Sequence, residues 1–122
     1  MANPSALPAS AAGTEILRRS HKSGLTNSII KIIDGSSNHM YTILSIIFTE
    51  MGGGEETITM YIDPEALGSD EVYLFHNQNL GPYETFVWND KFMLWGTDEL
   101  VIATGNAANV DVWCTYIENR YA

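Results

Sequence analysis

The sequence predicts an all-β fold: an antiparallel two-sheet sandwich, jelly-roll-like, with seven or eight strands and an extended N-terminal arm. Three observations predict it. Apolar or alternating segments recur at spacings of roughly 8–14 residues. Clusters of Gly, Asn and Asp separate these segments. No segment has the 3.6-residue periodicity of an amphipathic helix. A closed barrel is the main alternative architecture.

The N-terminal region differs in composition from the rest of the chain. Residues 2–13 contain two prolines, carry no charge and show no periodicity, which is typical of an irregular, extended segment. We therefore predict an extended arm over residues 1–25 and a β-sandwich domain over residues 26–122. The start of the chain lacks the basic residues and long apolar block of a secretion signal, so we expect no export by that route.

The first two predicted strands are short. A helix beginning at residue 14 would be interrupted early by Ser20, Ser23 and Gly24, so the sequence favours a strand over 14–19 and another over 26–32. The cluster DGSSN that follows is a turn.

Residues 40–50 form the strongest predicted strand, and their apolar side chains fall on both faces. Alternation places Met40, Leu44, Ile46 and Phe48 on one face, with Tyr41, Ile43 and Ile47 on the other. A strand that is apolar on both sides is central in a sheet or covered by a neighbouring element. After a turn with three glycines, residues 56–62 alternate as a strand with one apolar face.

The middle of the chain predicts three further strands, over 72–76, 84–88 and 91–95. The last two flank Asn89 and Asp90, which we interpret as a tight hairpin turn.

The last two predicted strands cover 100–104 and 110–118. In the final strand Val110, Val112, Cys114 and Tyr116 share one face. The alternation of all strands predicts a core that contains eight buried residues: Ile46, Phe48, Ile58, Leu74, Leu100, Ile102, Val112 and Cys114.

Charge is divided by position along the chain. Residues 1–32 hold four of the six basic side chains and one acid, a net charge of +3, whereas residues 33–122 hold two basic and fourteen acidic side chains, a net charge of −12. The acidic body would repel phosphates, so we expect no nucleic-acid partner. No apolar stretch approaches the ~20 residues of a membrane helix, so we expect no membrane partner. A basic arm on an acidic body indicates attachment to a neighbouring chain.

Residues with catalytic or metal-binding chemistry are sparse. The three histidines have no second His or Cys at a metal-ligand spacing, and we expect them at the surface or the rim of the fold. Cys114, the one cysteine, is predicted to be a buried and inert thiol. Most acids fall in turns or at strand ends, which is typical of a solvated face. A calcium site over 63–71 would need that loop to fold back on itself, and the EF-hand spacing is absent. We expect no catalytic residue, cofactor or metal.

Aromatic side chains occur in almost every predicted strand. Because only one face of each strand can point into a small core, several large side chains remain outside it. Exposed aromatics on a sheet mark an interface more often than chance.

The C-terminal half resembles small β-sandwich virion proteins of tailed bacteriophages. The resemblance lies in an aromatic strand, the residues Leu94, Gly96, Asp98 and Leu100, a turn of small residues, and a final strand ending in Tyr116-Ile117-Glu118. The paired early strands, MYTILSIIFTE and GGGEETITMYI, are similar too. This is a pattern of strand spacing and turn chemistry over about residues 14–120. It implies a non-enzymatic structural role, often as a capsid cement or decoration protein, and supplies no catalytic residues.

Our main hypothesis is a capsid cement protein on the capsid surface of a virion assembled in the host cytoplasm. Its partner would be the major capsid protein or another virion protein, and we expect a homo-oligomer, a trimer rather than a dimer. The partner-binding residues that we predict are Ile16, Leu17, Arg18, Arg19, Lys22, Trp95 and Trp113.

The alternative hypothesis is a structural or receptor-binding sandwich module of the tail or the head–tail connector, with exposed aromatics stacking on sugars. An enzyme is the least favoured class.

Overall fold

A computed structural model describes residues 15–25, 28–105 and 109–121 of the 122-residue chain. Within these residues the protein consists of nine strands and one short 3-10 turn, Pro64–Ala66. The strands are β1 (Glu15–Leu25), β2 (Ile29–Asp34), β3 (His39–Glu50), β4 (Glu56–Asp63), β5 (Val72–Leu80), β6 (Thr85–Trp88), β7 (Phe92–Trp95), β8 (Glu99–Thr104) and β9 (Val110–Arg120).

The nine strands form two antiparallel sheets that pack face to face. The first sheet has the order β1-β9-β3-β6, with β7 also paired to β3, and the second has the order β2-β8-β4-β5. The chain passes from one sheet to the other at every connection except those between β4 and β5 and between β6 and β7. This is the connectivity of a jelly roll, and it confirms the predicted two-sheet sandwich.

Residues assigned from the sequence to the arm belong in part to the first sheet. Strand β1 runs continuously through the predicted break and pairs with β9 from Glu15 opposite Asn119 to Leu25 opposite Val110. The serines at 20 and 23 do not end the strand, and Gly24 lies in the register irregularity between Lys22 and Leu25, where it takes a φ of 69°. Residues 1–14 of the arm, which was predicted to span residues 1–25, lie outside the described residues.

The predicted hairpin at Asn89-Asp90 is wrong. Both β6 and β7 pair antiparallel with β3, where Val87 lies opposite Ile47 and Phe92 lies opposite Ile43. The two strands therefore follow one another along a single edge of the sheet. A tight two-residue hairpin of type I′ needs positive φ at both turn residues, and neither Asn89 nor Asp90 has it.

Strand β3 is central in the first sheet, and it changes its buried face halfway along its length. The register with β9 shifts between Ile43 and Ser45, which places a bulge at Leu44. Tyr41 and Ile43 are buried before the bulge, whereas Ile46 and Phe48 are buried after it. An extra residue in one strand reverses the alternation of all that follow. The single face predicted for Met40, Leu44, Ile46 and Phe48 is therefore wrong in its first half.

The core lies between the two sheets and contains seven of the eight residues predicted for it. Leu74 is the exception, because it is partly exposed in the edge strand β5 and packs against the core from its margin. One end of the core is aromatic: Phe48 contacts the rings of Phe75 and Phe86, with centroids 5.8 and 5.9 Å apart. No helix among the described residues is long and apolar enough to cross a membrane.

A buried carboxylate organises two loops at this end of the sandwich. Glu50 is fully buried. It accepts hydrogen bonds from the backbone N–H groups of Gly52, Gly53 and Tyr83 at 2.8, 2.8 and 3.0 Å. Burial raises the pKa of the Glu50 carboxyl, but the backbone donors of both loops outweigh it, so that this pKa lies below its ordinary value.

The Glu50→Gln variant tests this arrangement. Because the pKa of Glu50 is lowered by folding, its stabilising effect is present above the ordinary value of 4.5 and is lost as the pH falls through the folded value. We expect Glu50→Gln to be less stable than the wild type in urea unfolding at neutral pH, and this difference to shrink well below pH 4.5. The control is Glu71→Gln, at an exposed position, which should leave stability unchanged. A difference that is the same at both pH values would contradict the assignment.

Candidate functional site

The outer face of the first sheet carries six of the thirteen large apolar side chains that are exposed among the described residues. Alternation from the buried residues places these side chains on one surface, which runs from β1 across β9 and β3 to the β6–β7 edge. They are Leu17, Ile47, Val87, Met93, Trp95 and Trp113, with exposed fractions between 39% and 64%. Exposed large apolar side chains that share one face of a sheet indicate interaction sites.

A groove of about 700 Å³ runs along β1 and β9 at one edge of this face, and we call it the β1 groove. It is lined by Ile16, Leu17, Arg18, Arg19, Trp113 and Thr115. The antiparallel register of β1 and β9 brings these residues together, because Arg19 lies opposite Thr115 and His21 lies opposite Trp113. Residues distant in sequence are thereby brought side by side.

The indole of Trp113 contacts two side chains of β1, Arg19 and His21. The Arg19 guanidinium lies 5.1 Å from the ring centroid, and the His21 ring stacks on it with centroids 5.5 Å apart and planes 20° apart. Both contacts restrict the rotamer of an aromatic side chain that is 44% exposed. The result is a half-exposed aromatic platform with a positive charge over its ring.

The charges of the β1 groove are positive. Arg18 forms an ion pair with Glu118 at 2.8 Å, which neutralises it in part. Arg19 has no carboxylate partner among the described residues, and no acidic side chain lines the groove. On a chain of net charge −9, this is a local basic and apolar site.

The structure brings together five of the seven predicted partner-binding residues in this groove. Lys22 lies farther along β1, opposite Val112, outside the lining. Trp95 lies opposite Met40, which pairs with Asn119, and Asn119 is six residues from Trp113 along β9. At ~3.3 Å per residue the two tryptophans are about 20 Å apart, so they belong to separate sites.

A second, smaller groove of about 290 Å³ surrounds Trp95, and we call it the Trp95 groove. The rings of Trp95 and Tyr121 stack with centroids 4.6 Å apart and planes 27° apart. The rest of the lining comes from three loops, the β2–β3, β4–β5 and β7–β8 connections. These lining residues are Ser37, Asn38, Glu65, Gly96 and Thr97.

The carboxylate of Asp98 fixes the loops of the Trp95 groove. One oxygen accepts the backbone N–H of Glu65 and the other accepts that of Trp95, both at 2.9 Å. The backbone carbonyl of Asp98 accepts the N–H of Gly35 at 3.0 Å, and the N–H of Tyr121 donates to the carbonyl of Asn38 at 3.0 Å. The backbone hydrogen bonds of its lining residues therefore hold the groove in shape.

Sequence reasoning missed several of the residues that form these two grooves. Strand pairing brings Thr115 to the β1 groove and His21 to the ring of Trp113. Loop packing brings Asn38, Glu65 and Tyr121 to the Trp95 groove. The sequence does place Asn38 and Glu65 in clusters of turn residues. It does not show which of these loops contact one another in the folded protein.

Cys114 is buried in β9, and burial raises the pKa of its thiol to about 12. Within the described residues, no group of three or more His, Cys, Asp or Glu side chains has the geometry to hold a metal ion.

Comparison with known proteins identifies the fold without a sequence family. No protein-family model matches the chain, and no curated protein matches it.

Similar solved structures share the sandwich over nearly the whole chain. One is a subunit from Bacillus endospore appendages, described as disulfide-linked pili, with 14% identity, a TM-score of 0.51, and 96% of this chain and 97% of that one covered. Another belongs to the acid-stable capsid of Helicobacter pylori bacteriophage KHP30, with 9% identity, a TM-score of 0.56, and 92% of each chain covered. A third comes from infectious bursal disease virus strain Gx, with 7% identity and a TM-score of 0.51. The similarity covers 90% of this chain and 34% of that one.

At these identities the likeness concerns the fold alone. The chain has the jelly-roll sandwich that is also found in chains of phage and viral particles and in a bacterial appendage.

Proposed function

We propose that this protein is a structural component of a virion, and specifically a capsid cement or decoration protein that binds the major capsid protein and stabilises the shell. The observation that carries the proposal is the likeness to a chain of the KHP30 capsid, which spans 92% of each chain. Mutual coverage at that level means that the neighbour is also a small, single-sandwich chain. A small sandwich that is part of a capsid fits an accessory protein.

The cysteine content supports a virion over a disulfide-linked filament. The endospore appendage subunit is similar over an even larger share of the chain, and its assembly is disulfide-linked. This sequence has one cysteine, Cys114, which is buried and has a raised thiol pKa. A thiol of that kind is unreactive toward a neighbouring subunit.

The β1 groove is the docking surface that we propose, and its chemistry defines the partner. Trp113 and Leu17 supply apolar contact area, and Arg19 supplies a positive charge without a carboxylate partner among the described residues. The complementary surface is an apolar strip of the capsid subunit with a carboxylate beside it. The sequence predicts that the basic N-terminal region attaches to a neighbouring chain. In this proposal the attachment is made by β1, which also carries Ile16, Arg18 and Lys22.

Binding of this kind stabilises a shell by mass action, because the protein binds assembled capsid subunits better than separated ones. The role needs no catalysis. We place the protein on the capsid surface of a particle assembled in the host cytoplasm, and we propose a homotrimer for the free protein. Mass measurement at micromolar concentration should show the trimer, and a monomer would contradict self-association in solution.

The proposed role predicts the number of copies in the particle. A quantitative protein gel of purified virions should show this chain in numbers comparable to those of the major capsid protein, because a cement protein occupies repeated sites on the shell. A handful of copies per virion would contradict the cement role and favour a tail or head–tail module.

The docking surface is tested by Arg19→Glu, measured as retention on washed particles. Replacing the cation beside Trp113 by an anion should lower the affinity about tenfold or more, since it removes the charge complementarity and disturbs the platform. Lys91→Glu is the matched control, because it makes the same charge change at an exposed position between β6 and β7. Equal retention of the two variants would contradict docking through the β1 groove.

A further inference from the structure

We propose that the Trp95 groove binds a neutral carbohydrate, with a pyranose ring packed on the Trp95–Tyr121 pair and its hydroxyls bound by the surrounding loops. The inference stands on this groove alone and does not depend on the capsid role, which concerns the β1 groove.

The aromatic pair is a preformed platform. Trp95 is 50% exposed and Tyr121 is 39% exposed, although the two rings stack on each other at 4.6 Å. Each ring therefore fixes the other in place while a large part of both remains accessible. The C–H groups on one face of a pyranose form an apolar surface that packs on such rings.

The other lining side chains match the hydroxyls of a sugar. Among the lining residues, Ser37 and Thr97 carry hydroxyls, Asn38 carries a carboxamide and Glu65 carries a carboxylate. All four residues are exposed, and no contact within the described residues occupies these side-chain groups. Together they offer hydrogen-bond donors and acceptors, and each sugar hydroxyl is itself a donor and an acceptor.

The indole N–H of Trp95 is also available. The indole N–H of Trp88, for comparison, donates to the carbonyl of Asp90 at 2.8 Å. The indole N–H of Trp95 makes no such bond within the described residues.

The groove needs little rearrangement to bind. Asp98 holds the backbone of both Glu65 and Trp95, and the N–H of Gly96 donates to the carbonyl of His39 at 2.7 Å. Preorganised walls reduce the entropy that a weak ligand must overcome. A volume of about 290 Å³ is at the small end of ligand sites and suits one or two sugar rings better than a longer molecule.

Charge selects a neutral sugar over an acidic one. Glu65 lines the groove, and no basic side chain does so within the described residues. The chain as a whole has a net charge of −9. Carboxylated sugars would be repelled, whereas neutral hexoses would not.

The test uses the indole N–H signals of the three tryptophans in NMR spectra of the full-length protein. Methyl glycosides of glucose, galactose and mannose are titrated to high millimolar concentration, with glucuronic and sialic acid as charged comparisons. We expect at least one neutral glycoside to shift the signal of Trp95 in a saturable way and to leave those of Trp88 and Trp113 in place. No saturable Trp95 shift with any neutral glycoside, or tighter binding of the acidic sugars, would overturn the proposal.

Matched variants separate the groove from the rest of the face. Trp95→Ala should lower the affinity for the responding sugar at least tenfold, and Glu65→Gln should weaken it without removing the platform. Trp113→Ala removes an equally large, 44% exposed side chain from the same sheet face and should leave the affinity unchanged. A loss of binding in Trp113→Ala equal to that in Trp95→Ala would contradict the assignment. If Trp95→Ala does not fold, the test uses Glu65→Gln alone. An affinity of Glu65→Gln for the sugar that equals the wild-type affinity would contradict the proposal.

Discussion

The Ile102→Ala variant should lose about 2–5 kcal/mol of unfolding free energy, because it opens a cavity in the centre of the second sheet. Ile102 is fully buried in β8, where it pairs with Ile30 on one side and Met60 on the other. Neighbours on both sides and a covering sheet leave the structure little freedom to collapse around the missing atoms. The midpoint of urea unfolding should fall while the slope of the transition stays the same.

Ile29→Ala provides the matched control for this measurement. It makes the same substitution in β2, the adjacent strand, but Ile29 is 68% exposed. We expect a change below about 1 kcal/mol there. If Ile102→Ala cost no more than Ile29→Ala, the side chains of β8 would face the opposite way from the structure.

The Gly35→Ala variant should be the most damaging single change in a loop, at about 1–3 kcal/mol. A Cβ atom at this position would overlap the backbone carbonyl oxygens of both Gly96 and Asp98. Backbone atoms held by hydrogen bonds cannot turn aside as a flexible side chain can. The N–H of Gly35 also donates to the carbonyl of Asp98, so a displacement would weaken that bond as well.

Gly81→Ala is the control for the loop substitution, because an added Cβ there would meet the Glu84 carboxylate at 3.8–3.9 Å, an ordinary contact. Thermal unfolding of both variants measures the difference. Gly35→Ala should also weaken sugar binding in the Trp95 groove, since Gly35 and Asp98 hold its loops together. Equal melting points for the two variants would show that the β2–β3 and β7–β8 loops are not in the close contact that the structure gives them.

The candidate sites were predictable in part. Ile16, Leu17, Arg18, Arg19 and Trp113 were selected as surplus apolar or basic residues, and the structure places them in one groove. Trp95 was predicted on the same grounds but lies in another groove. The sequence does not give the distance between residues that are far apart along the chain. The loop residues around Trp95 could not be found from sequence, since their meeting depends on three connections that are far apart in the chain.

The sequence by itself determined the fold class, the strand-rich body and the buried faces of most strands. It did so because the alternation of apolar and polar side chains is local, and burial of the apolar set decides which face of a strand turns inward. Val110, Val112 and Cys114 are buried in β9, as their spacing predicts. Only the tertiary structure decided which strands pair. It joined β6 and β7 to one edge of β3 in place of a hairpin, bulged β3 at Leu44, and extended β1 through Gly24 along β9. These features depend on backbone hydrogen bonds between distant segments, and a local pattern contains no information about the partner strand.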